Sequence, residues 1–99
     1  MKILVVDDHA VVREGVRRLL LAIEGVTIIE AETAHEGMTL FRREVPDIVV
    51  LDINLKNSSG IELLRRFRIE NAAVRVVILP PGPVSQAASA LIPRTLAVA

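Results

Sequence analysis

The chain has no cysteine, tryptophan or tyrosine. Without cysteine, neither a disulfide framework nor a thiolate metal site can operate, which accords with a reducing cytosol. The aromatic complement is two phenylalanines, Phe41 and Phe67, so any core must be aliphatic. Net charge is also missing. Twelve basic residues balance 12 acidic ones, giving no electrostatic pull towards nucleic acid or an anionic membrane. No apolar run approaches the roughly 20 residues that span a bilayer. The start, Met1-Lys2, leads at once into an apolar run and then acids, and does not read as a signal peptide. Ninety-nine residues allow one small domain, and an apolar fraction of 52% suffices to fill it.

What is present is an arrangement of acids. Asp7 and Asp8 follow Ile3-Leu4-Val5-Val6, and Asp52 follows Ile48-Val49-Val50-Leu51. Both runs are continuously apolar and rich in β-branched residues, as strands covered on both faces should be. In an open parallel sheet, functional groups gather beyond the carboxyl ends of the strands. Three acids stepping off two such ends can share one small volume. Carboxylates packed together repel and raise one another's pKa, so a hard divalent ion is their natural companion. The pattern points to a Mg²⁺-dependent acidic site.

Between residues 3 and 79 the chain alternates strand and helix. Ile3–Val6 reads as a strand. His9–Ile23 carries an apolar stripe of Val12, Val16, Leu19, Leu20 and Ile23, with Asp8 placed to cap it and Gly25 to end it. Val26–Glu30 is a second strand. Ala34–Glu44 is a helix that packs Met38, Phe41 and Ala34 and stops near Pro46. After the strand Ile48–Leu51, the turn Asn57-Ser58-Ser59-Gly60 opens a helix from about Ser59 to Asn71, with Leu63, Leu64 and Phe67 inward. Val74–Leu79 is a fourth strand. This alternation implies right-handed crossovers and a doubly wound α/β parallel sheet. After Leu79 the composition breaks. Residues 80–99 hold four of the five prolines and one charged residue, Arg94. Pro80-Pro81-Gly82-Pro83 cannot extend a helix or central strand; Ser85–Ile92 is at most a short helix, and Leu96–Val98 is too short to assign.

Leu4-Val5-Val6-Asp7-Asp8, Val50-Leu51-Asp52-Ile53-Asn54-Leu55 and Ser59-Gly60-Ile61-Glu62-Leu63-Leu64 together resemble the receiver domain of two-component response regulators. The stretch Asp7-Asp8-His9-Ala10-Val11-Val12-Arg13-Glu14-Gly15 resembles the subfamily that carries a helix-turn-helix DNA-binding output. The likeness covers residues 2–79 without a gap. It implies a flavodoxin-like sheet of order 2-1-3-4, with Asp52 accepting a phosphoryl group from a phosphohistidine of a sensor histidine kinase. Mg²⁺ would be held by Asp8 directly, Asp7 mainly through water, Asp52 itself and the backbone carbonyl of Asn54. The resemblance further implies a cytoplasmic signalling switch rather than a metabolic enzyme, with a possible homodimer. DNA would be reached only through an output domain that these residues do not contain, and no membrane is involved.

The departures from the family fall late in the chain. The usual hydroxyl after the fourth strand is replaced by Pro80. The lysine that normally ends the fifth strand has no counterpart, since the only lysines are Lys2 and Lys56. Lys56 replaces a proline usual after the phosphoacceptor, and the aromatic switch residue is also missing. The expected organisation is an incomplete receiver over 1–79, lacking the fifth strand and last helices, and a divergent tail over 80–99 from out-of-frame or degenerate sequence. Loss of the last helix would leave Val16 and Leu20 partly exposed. The alternative to a working switch is a remnant that folds or interacts without transferring phosphate. An aspartyl-phosphate hydrolase is disfavoured, because that class places Asp-x-Asp after its first strand. His9 and His35 read as plain polar surface residues. The groups Arg13, Arg17, Arg18 and Arg65, Arg66, Arg68 read as solvated helix faces, interspersed with Glu14, Glu62 and Glu70.

Overall fold

A computed structural model describes residues 1–55, 58–79 and 97–98. Its elements in chain order are β1 (Lys2–Val6), α1 (Ala10–Leu20), β2 (Thr27–Ala31), α2 (Ala34–Glu44), β3 (Ile48–Asp52), α3 (Gly60–Glu70), β4 (Arg75–Leu79) and β5 (Ala97–Val98). The sheet order is β2-β1-β3-β4-β5. The first four strands are mutually parallel, giving the expected 2-1-3-4 order. Ala97–Val98, too short to assign from sequence, pairs antiparallel with Val77 and Ile78 of β4. A further βαβ unit would have added a parallel strand there, so the polarity at this edge is reversed.

Alternation along the strands divides the core between the two faces of the sheet. Ile3, Val5 and Val50 meet Val12 and Val16 of α1 on one face. Leu4, Val6, Val49, Leu51 and Val76 meet Met38, Phe41, Leu63 and Phe67 of α2 and α3 on the other. The two phenylalanines, all the aromatic surface the chain has, stack with ring centroids 4.4 Å apart between α2 and α3. Val16 is buried, 4% exposed, contrary to the expected exposure, because it lies directly over Ile3, Val5 and Val50 and not at the rim. Leu20 is half-buried, as expected.

The strands fall within a residue of their expected bounds, and both ends of α1 differ from expectation. The helix expected to reach Ile23 ends at Leu20, where the amides of Ala22 and Ile23 bond the carbonyls three residues back, to Leu19 and Leu20. That tightening turns the chain off the helical path before Gly25, which takes φ 78°. Leu19 and Ile23 are consequently exposed and leave the expected stripe. The other change concerns the start of α1. The N-cap is His9 and not Asp8, and no side chain caps it. The start of α3 matches expectation, with the Ser59 hydroxyl accepting from the Glu62 amide at 3.2 Å.

Candidate functional site

Register fixes where the acids sit. Val6 lies opposite Leu51 on the adjacent parallel strands, so the residues that follow each, Asp7 and Asp52, leave the sheet at the same level. The Asp7 amide still bonds the Ala31 carbonyl at 3.0 Å, which continues the ladder one step and fixes the Asp7 backbone. Its Oδ1 accepts from the His9 amide at 2.7 Å, which turns the chain into α1. Asp52 is the last residue of β3, and its Oδ1 accepts from the Asn54 amide at 2.9 Å.

Two buried acids result, Asp7 at 1% and Asp52 at 6% exposure, with Asp8 half-buried beside them. One ligand atom each from Asp7, Asp8, His9 and Asp52 lies within 4.8 Å of all the others. Burial pushes the Asp7 carboxyl above its ordinary value, and the charge of Asp52 pushes the same way. Hydrogen bonds from the His9 amide and ring, with the charge of His9, oppose the rise without cancelling it. A site of this kind favours a positive charge in contact with it, and the three carboxylates of the set suit a hard ion such as Mg²⁺.

The loop after Asp52 is held by backbone contacts. The Gly60 amide bonds the Ile53 carbonyl at 3.2 Å, and Leu55 is buried in the core. A Cβ at Gly60 would lie 2.6 Å from the Ile53 Cα and carbonyl oxygen, so the α3 start must be glycine for the loop to close on it. Asn54, on that loop, is exposed.

Two participants were not legible in the sequence. His9, read as a plain polar residue, places Nδ1 2.9 Å from Asp7 Oδ1, 3.0 Å from Asp8 Oδ1 and 3.5 Å from Asp52 Oδ2. Its only sequence signal was adjacency to the acids. Arg13, read as part of a solvated face, is turned inward. Its Nη1 donates to the Asp7 carbonyl at 2.7 Å, while Nε and Nη2 lie 3.4 and 3.2 Å from Glu30 and Glu32 at the end of β2. The spacing of four from His9 placed Arg13 on the site side of α1, but its acidic partners come from an element more than a helix away in sequence. His35 and Arg17 are exposed, as expected. Lys2 lies at the opposite end of β1, where its Nζ contacts Glu44 at 3.3 Å. Lys56, Pro80 and the helix expected over 85–92 lie outside the described residues.

Comparison with known proteins gives one consistent answer. The sequence profile of the response regulator receiver domain matches residues 3–91. The chain is 35% identical over 85 residues to the virulence factors putative positive transcription regulator BvgA of Bordetella pertussis, covering 85% of this chain and 40% of that one. It is 32% identical over 77 residues to the nitrate/nitrite response regulator protein NarL of Escherichia coli, covering 77% and 36% respectively. Among solved structures, a two-component response regulator of the LuxR family from an Aurantimonas species superposes with a TM-score of 0.75 at 38% identity, over 89% of this chain and 66% of that one. The chain thus spans less than half the length of the curated relatives it matches.

Proposed function

The chain belongs to the response regulator receiver domains of two-component systems, and on that premise we propose that it accepts a phosphoryl group on Asp52 in a Mg²⁺-dependent phosphorelay. The observation that carries this is the convergence of Asp7, Asp8 and Asp52 within 4.8 Å at the carboxyl edge of the sheet. The Asp52 carboxylate is the nucleophile, attacking the phosphorus of a phosphohistidine on a sensor kinase as the P–N bond breaks. Asp7, Asp8, Asp52 and the Asn54 carbonyl would hold the ion, whose chemistry when bound is to neutralise charge between the carboxylate and the phosphoryl oxygens. The Asn54 amide holds the Asp52 carboxylate through Oδ1, which orients it at the end of β3. Arg13 holds the Asp7 carbonyl and so the strand end from which both metal-binding acids project.

The receiver unit we assign to 1–79, with 80–99 a divergent tail. The likeness to longer transcription regulators supports a place in transcriptional control through an output domain, in the cytoplasm. No helix among the described residues is long and apolar enough to cross a membrane. A second reading, a remnant that folds and interacts but transfers no phosphate, is favoured by the lysine inventory. Lys2 is tied to Glu44 at the far end of the sheet, and Lys56 precedes the fourth strand. Intact mass after incubation with acetyl phosphate and Mg²⁺ decides between them. The switch requires one phosphoryl adduct that disappears with EDTA and in Asp52→Asn. No adduct on a folded sample gives first place to the remnant.

A further inference from the structure

We infer that, given the Mg²⁺ site proposed above, Arg13 is a positioning residue for it: its guanidinium fixes the peptide between Asp7 and Asp8 and thereby sets Mg²⁺ affinity. The reason lies in where the ladder between β1 and β2 stops. The Asp7 amide still donates to the Ala31 carbonyl at 3.0 Å. In a continued parallel ladder the Asp7 carbonyl would accept from the amide of Thr33. Thr33 has instead left the sheet and serves as the N-cap of α2. Arg13 Nη1 takes over as the donor at 2.7 Å, a charge-assisted bond.

The guanidinium is held from its other side as well. Nε lies 3.4 Å from Glu30 and Nη2 3.2 Å from Glu32, the residues that flank Ala31. Side chains two apart along an extended chain share a face, so both acids reach the same group. The Arg13 amide bonds the His9 carbonyl, which seats the residue in the first turn of α1. The ends of β1 and β2 and the start of α1 thus close on one side chain that is 13% exposed. A planar fork of donors can serve three acceptors at once, which the point charge of lysine cannot do as well. The carbonyl that Arg13 holds belongs to the peptide leading to Asp8. Asp7 is fixed independently, at its amide by Ala31 and at Oδ1 by the His9 amide. Loss of Arg13 therefore releases the next peptide plane, and with it the direction in which Asp8 leaves the strand.

Charge alone predicts the opposite sign. A cation beside an acidic site repels Mg²⁺, so removing a guanidinium that acted only as a charge would tighten binding. Mg²⁺ is titrated calorimetrically into the wild type, Arg13→Met, Arg13→Lys and Arg17→Met, each checked for folding by circular dichroism. Arg17, exposed on the same helix, controls for charge. Arg13→Met should weaken Mg²⁺ binding about tenfold to a hundredfold, the scale of losing an outer contact to a metal site. Arg13→Lys should fall between Arg13→Met and the wild type, and Arg17→Met should match the wild type or bind slightly tighter. In the metal-free proteins the backbone amide resonance of Asp8, whose nitrogen belongs to the held peptide, should move in Arg13→Met and stay in Arg17→Met. Unchanged or tighter Mg²⁺ binding by folded Arg13→Met would overturn the positioning role and leave the Mg²⁺ site standing. If Arg13→Met does not fold, Arg13→Lys decides, and wild-type affinity there overturns the role. A wild type that binds no Mg²⁺ would overturn both.

Discussion

At the scale of single residues, the informative group is Asp7. Its carboxyl is raised by burial first and by Asp52 second, so folding favours the protonated acid relative to the unfolded chain. A raised folded-state pKa stabilises the fold below the ordinary value of 3.8. That contribution is lost as pH rises through the raised value. At neutral pH the ionised Asp7 is therefore a cost that a bound cation removes. Asp7→Asn keeps an oxygen to accept the His9 amide and removes the charge. It should stabilise the metal-free protein at pH 7, with little effect near pH 3. A shift of about 4–8 °C in thermal midpoint per kcal/mol is expected for a domain of this size. The same substitution should remove the stabilisation that Mg²⁺ gives the wild type. A destabilised Asp7→Asn protein at pH 7 would show that Asp7 is held ionised by its neighbours and not burdened by burial.

At the scale of elements, the junction of β3 and α3 matters most, because it sets the loop that carries Asn54. Alanine at the first turn of a helix ordinarily gains up to about 1 kcal/mol over glycine. At Gly60 the added Cβ would meet Ile53 backbone at 2.6 Å, and backbone cannot rotate away. Gly60→Ala should thus destabilise by about 1–3 kcal/mol in chemical denaturation, the cost of overpacking, and slow Asp52 phosphorylation as the loop shifts. A stabilised variant would mean that the close approach is not maintained in solution. This junction also shows what sequence patterns convey. Ser59 and Gly60 were read as turn and cap chemistry, which is local, and the cap formed where expected. That Gly60 packs on the residues directly after Asp52 is a contact between elements, and no local periodicity encodes it. The helix α1 divides the same way. Val12 and Val16 were legible because burial follows helical spacing, whereas the inward turn of Arg13 depends on Glu30 and Glu32 across the sheet edge.

At the scale of the whole molecule, two continuously apolar strands were enough to place Asp7, Asp8 and Asp52 together, because parallel register brings strand ends to one level. The sheet order needed the family likeness, since periodicity does not say which strands are neighbours. The chain end resisted both approaches: its proline-rich composition carries no usable period, and the antiparallel pairing of Ala97–Val98 depends on chain reversal that no local pattern announces. Function at this scale rests on Asp52 being the residue that carries phosphate. Site-resolved trapping tests it most directly: acetyl phosphate and Mg²⁺ are added, borohydride reduces any acyl phosphate to the alcohol, and peptides are sequenced by mass spectrometry. The expected result is homoserine at position 52 alone, absent when EDTA replaces Mg²⁺. Homoserine at position 7 or 8, or at no position in a folded sample, would contradict the phosphoacceptor assignment.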